Sequence, residues 1–178
     1  MSESAESAEP TNIPSASDPQ AVANQTSLAL LVLKQGGNSG ANWFFWIAGL
    51  SLVNTAMIHG GGDLYFIIGL AVTVVVDAVA QSIGKEHPES ATLAMGIAIA
   101  FSLCAAVVVS LFGWLSRKRL PWVFGIGMAL YLLDGVLYLI LKDFLSTAFH
   151  GYALFWMYQG FGAYRKLEQL ETALRTPQ

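Results

Sequence analysis

Apolar residues gather in five stretches, at 43–59, 64–83, 91–115, 121–141 and 144–164, with breaking or charged residues between them. Crossing about 30 Å of hydrocarbon takes roughly 20 helical residues. The last four stretches reach that length and the first falls slightly short. Gly60-Gly61-Gly62, Gly84 with Pro88, and Pro121 fall between them, and Pro121 suits a helix's opening turn, where its missing N–H is harmless. The pattern predicts an all-α integral membrane protein, a bundle of five transmembrane helices.

The flanks read differently. Residues 1–40 predict a disordered, acidic and Gly-rich tail, with Pro10, Pro14 and Pro19 among Ser, Ala, Glu and Asn. Within it, 27–33 is a two-turn apolar segment suited to lying in the interface, and Gly36, Gly37 and Gly40 form a flexible link to the first span. At the other end, 165–178 places Leu167, Leu170 and Leu174 at helical spacing between Glu168, Glu171 and Arg175, which predicts a short amphipathic helix and tail.

Composition agrees with burial in lipid: 54% of the 178 residues are hydrophobic, 12% are charged and mean hydropathy is +0.54, where a soluble domain carries about a quarter charged residues. A net charge of −3 without a basic block argues against nucleic acid as a partner. The lone Cys104 excludes an internal disulfide and a thiolate cluster. Arg117, Lys118 and Arg119, with Arg165 and Lys166, mark loops expected on the cytoplasmic side, in a bacterial inner membrane. Five spans then put the C-terminus inside and the N-terminus outside, an arrangement that Lys34 opposes.

The costly residues are the polar ones inside the apolar stretches. An Asp at a helix centre costs about 2.5–3.5 kcal/mol on insertion scales, so Asp77 and Asp134 need partners, protonation or a wet cavity. Asp77 belongs to a stripe of Gly69, Thr73, Asp77 and Gln81 at i+4 spacing, all on one helix face. Tyr131, Asp134 and Tyr138 share a face of the fourth span, and Ser146 and His150 share one at the start of the fifth. Counting about 1.5 Å per residue, Asp77, Asp134 and His150 lie at similar depth, which predicts one Asp/Asp/His cluster. His59 ends the first span on the opposite side and is expected to stand apart.

The third span carries Ala94, Ala98, Ser102, Ala106 and Ser110 every four residues, a small-residue ridge that lets another helix approach closely. Ser51, Asn54 and Thr55 give the first span a polar face suited to bonding between helices. No serine elbow, HExxH run or haem-clamping histidine pair occurs, and Gly125-x-Gly127 and Gly160-x-Gly162 lack a preceding strand, so neither cofactor nor metal is expected. These features lead first to a non-enzymatic accessory, assembly or scaffold subunit that docks a membrane-protein partner or its own copies. The alternatives are a proton-coupled carrier using Asp77, Asp134 and His150, and a membrane-embedded hydrolase with His150 as base.

Overall fold

A computed structural model describes residues 18–60 and 69–176 of the chain. Residues 1–17 of the expected tail and 64–68 of the second expected span lie outside the described residues. Within them, five α-helices follow one another: α1 (Pro19–His59), α2 (Ala71–Glu86), α3 (Ala91–Arg117), α4 (Pro121–Ile140) and α5 (Phe144–Arg175), with a short 3-10 turn, Pro88–Ser90, before α3. Every described element is helical, as the hydrophobic pattern predicts.

Among the described residues, three segments are long and apolar enough to cross a membrane: α1, Pro88–Arg117 and α4. At 16 residues, α2 is about 24 Å long, short of the hydrocarbon thickness. The third to fifth helices begin where their apolar stretches begin. Pro121 takes the first turn of α4, and Asp143 caps α5 by accepting from the Ser146 N–H and hydroxyl at 3.1 and 2.6 Å. Arg119 and Lys142 turn the chain between helices in the left-handed conformation, each with φ 61°.

Two expectations are corrected at the N-terminal side. The tail expected to run to residue 40 is helical from Pro19 onward, so 27–33 is an inner part of α1. Gly36, Gly37 and Gly40 are no flexible link; they are the places where α5 touches α1. A Cβ added to Gly40 would stand 2.6 Å from the Gly160 Cα, and one on Gly37 would enter the Tyr164 ring. Glycine is required there for close approach of two backbones, which is a packing role. Along this seam Leu30 and Leu33 pack on the core to which Leu167 belongs, and the expected C-terminal amphipathic helix continues α5 without a break.

Helix direction supplies the larger correction. Ser51 meets Thr73, and one turn further along both helices Thr55 meets Asp77, so α2 runs parallel to α1. Gly69, just before α2, lies beside Ser51 and Asn54 of α1. By contrast α5 is antiparallel to α1, with Gly36 on Ala163, Gly40 on Gly160 and Trp43 on Tyr152. The outer parts of α1 and α5 therefore emerge at one end of the bundle, where Arg117 hydrogen-bonds Asn42 and Arg119 pairs with Glu171 at 2.7 Å. Five consecutive antiparallel spans with termini at opposite ends are not found among the described residues.

The small-residue ridge of α3 is used inside the chain. Ala98, Ser102 and Ala106 are buried, Ala94 and Ser110 are half-buried, and α3 packs chiefly on α1 and α2. The apolar core is built from Phe44, Ile47, Leu70, Phe124, Tyr131 and Met157, with Phe44 and Phe124 edge to face at 5.6 Å.

Candidate functional site

The beginning of α2 poses the site's central problem. A helix leaves its first N–H groups without intrahelical partners, and inside an apolar bundle there is no water to take them. Leu70, at the N-cap, has no side chain that can help. Asp134 of α4 does so from across the bundle: its Oδ2 accepts the Ala71 N–H at 2.8 Å and its Oδ1 the Val72 N–H at 3.0 Å. A carboxylate at a helix's positive end is also favoured by the helix dipole.

His150 of α5 completes this arrangement. Its Nε2 lies 3.0 Å from Asp134 Oδ2, and its Nδ1 lies 2.9 Å from the Ser146 carbonyl oxygen. A carbonyl only accepts, so Nδ1 carries a hydrogen. The contact between Nε2 and Oδ2 then needs one further proton, held by either group. The pair thus holds that proton as imidazolium with carboxylate or as imidazole with carboxylic acid, and its net charge is zero in both forms. Tyr131 stacks on the imidazole with centroids 4.3 Å apart, Tyr138 leans on it at 5.1 Å, and Gly135 leaves room for it. The predicted shared face of Tyr131, Asp134 and Tyr138 is therefore the wall that holds His150.

Asp77 does not join this pair. It lies six residues beyond Ala71, about 9 Å along α2, and its partner is His59, whose Nε2 is 3.0 Å from Asp77 Oδ1. Thr55 donates to Oδ2 at 3.1 Å. The expected Asp/Asp/His cluster is thus two Asp–His pairs, and the histidine expected to stand apart belongs to the second. The physical reason is direction: a parallel α2 brings Asp77 toward the C-terminal end of α1, where His59 sits. Within the predicted stripe, Gly69, Thr73 and Asp77 are buried, whereas Gln81 is exposed near the end of α2.

Hydroxyls occupy the interval between the pairs. Thr73 donates to the Leu70 carbonyl at 2.8 Å, so the 3.0 Å contact with Ser51 has Ser51 as its donor. Gly84 touches Ala91 across the turn that joins α2 to α3. Eleven residues back from Gly84 is Thr73 and eleven on from Ala91 is Ser102; both steps are about three helical turns, which keeps the two side chains facing. Ser102 is fully buried. A polar track therefore follows the α1–α2 seam from His150 and Asp134, past Thr73, Ser51 and Thr55, to Asp77 and His59. The His59 side chain at one end of the track is 9% exposed and the Asp134 side chain at the other 8%.

The remaining candidates are placed elsewhere. Ser146 turns its hydroxyl to Asp143, so it is not offered to the His150 ring. Asp143 lies in the turn before α5, and the Ser146 hydroxyl and backbone N–H hold its carboxyl below the usual carboxylate range. Among the described residues no three His, Cys, Asp or Glu side chains are grouped so as to hold a metal ion. Sequence reasoning missed His59 and Gly135 as site residues; the polar face of Ser51 and Thr55, two turns and one turn before His59, was the available signal.

In comparisons with known proteins, the chain matches no protein-family model, no curated protein and no solved structure at significant similarity.

Proposed function

We propose that this chain is a multi-pass membrane protein that moves protons between the His59 end of the bundle and the buried Asp134–His150 pair, as a proton-coupled carrier does. The carrying observation is the polar track: two Asp–His pairs, one bonded by Thr55, with the hydrogen-bonded hydroxyls of Ser51 and Thr73 in the interval between them. Intramembrane carboxylates are expensive and commonly serve ion or proton pathways. Histidine suits such a path because its ordinary titration lies near neutral pH.

In this reading α1, α3, α4 and α5 cross the bilayer and α2 falls short of spanning it. Lys34, Arg117, Lys118, Arg119, Arg165 and Lys166 then lie toward one end, against Lys85 and Lys142 toward the other. The excess of basic residues makes the first end cytoplasmic, with α1 entering and α5 leaving on that side. This topology removes the objection raised by Lys34.

The test uses the purified chain in liposomes with an internal pH dye and an imposed potassium diffusion potential. Proton entry is expected in the wild type and should fall to background in Asp77→Asn and Asp134→Asn variants that keep their helical circular dichroism. Unchanged entry in both folded variants refutes the proposal. A second reading, an accessory or scaffold subunit, draws support from Leu28, Leu31 and Val32, which are exposed on the outer half of α1. Recovery of a stoichiometric membrane partner from mild detergent, lost when Leu28 and Leu31 become serine, would favour it.

A further inference from the structure

Among the described residues, the space beside the first turn of α2, between α3 and α4, is not filled by side chains. A cavity of about 500 Å³ occupies it, within the roughly 300–1,000 Å³ typical of small-molecule sites. Its back wall is Phe44, Phe112 and Val109, its roof is Leu70 and Val72, and among the described residues Asp134 is the one charged side chain lining it. Val108, Leu130 and Leu137 also line it while being 38–50% exposed on the outer surface, so the mouth opens sideways, toward hydrocarbon in an inserted bundle.

We infer that this cavity binds a single-chain lipid ending in a neutral hydroxyl, the chain lying between α3 and α4 and the hydroxyl donating to Asp134. The wall offers little to water, so an apolar chain is the occupant that gains most from it. Asp134 Oδ2 already serves Ala71 and His150, whereas Oδ1 accepts from Val72 alone, and a carboxylate oxygen has room for a second donor. A carboxylate end group has no hydrogen to give to Oδ1 and a cationic one would surrender its hydration in hydrocarbon, whereas a neutral hydroxyl can donate without carrying a charge into the cavity. The site shares Asp134 with the proton path and does not depend on it.

The full chain in lipid nanodiscs is irradiated with a long-chain alcohol that carries a diazirine in mid-chain. Labelling is expected to concentrate in 105–112 and 127–137, and excess unlabelled alcohol should suppress it where the alkane of equal length does not. Leu130→Trp, at the half-exposed mouth, should abolish labelling without changing the melting temperature; if that variant misfolds, Ala105→Leu on the facing wall makes the same measurement. Labelling spread evenly over the outer surface, equal competition by alkane, or unchanged labelling in a folded mouth variant each overturns the inference. A protein that labels as expected and moves no protons refutes the proton path and leaves this site standing.

Discussion

Asp134 and Asp77 each meet a histidine at 3.0 Å, but the rest of their surroundings differ in kind. Asp134 is held by two backbone N–H groups, and its histidine is stacked on Tyr131 and tied to a backbone carbonyl. The three backbone groups in that set are fixed in place by their helices. Asp77 is held by the rotatable Thr55 hydroxyl and by His59 in the last turn of α1. The first pair is therefore a fixed cap on a helix that starts inside the bundle, while the second can exchange partners. The difference teaches that two buried acids with the same pairing can be held with unequal firmness.

The sharpest way to break this contrast is to remove the carboxyls. Asp134→Ala leaves two backbone donors and the imidazole Nε2 without partners, and should destabilise by about 3–5 kcal/mol in detergent unfolding. Asp134→Asn should recover part of this, because the amide oxygen still accepts from Val72 and its NH₂ donates to an unprotonated Nε2. Equal losses from the two variants would show that charge, rather than donor satisfaction, is what the site needs.

Displacing His150 without touching a polar atom comes next. A Cβ on Gly135 would stand 3.0 Å from the His150 Cβ, and the imidazole, stacked on Tyr131, has little room to yield. Gly135→Ala should cost about 1–3 kcal/mol, and a neutral effect in thermal melts would mean that His150 is less firmly held than its contacts suggest.

Asp77→Asn should be milder, about 1 kcal/mol or less, since Thr55 and His59 can rearrange around an amide. Its signature should instead be lost proton entry. A stability loss matching that of Asp134→Ala would erase the distinction between the pairs.

The smallest expected effect is a pH dependence outside both pairs. The Asp143 carboxyl is held low by Ser146, so the folded state favours its charged form. Its contribution is present above the unfolded pKa of about 3.9 and is lost as pH falls through the lower folded value. Asp143→Asn should flatten the acid limb of the stability profile, modestly, because the turn is solvent-screened. An unchanged acid limb would assign that loss to other groups.

Much of the local structure is legible in the chain. The start of α4 follows from Pro121, the shared face of Tyr131, Asp134 and Tyr138 from spacings of three and four, and the nearness of Asp134 to His150 from residue counting along two helices. Gly36, Gly37 and Gly40 mislead because glycine is read as a breaker, whereas between two apolar helices its lack of a side chain permits contact. The ridge of α3 is visible as a ridge, but a periodicity does not say which helix will fill it.

Hydrophobic spacing alone determined that this chain forms long helices and which faces of them carry the polar groups, since both depend on a repeat of 3.6 residues and the cost of exposing backbone to apolar surroundings. Only the tertiary structure decided that α2 runs parallel to α1, that its open end is closed by Asp134, and that His59 belongs to Asp77. Spacing along a helix carries no sign for the direction in which the next helix returns. That sign is set where the chain reverses, and the choice of partner follows from it.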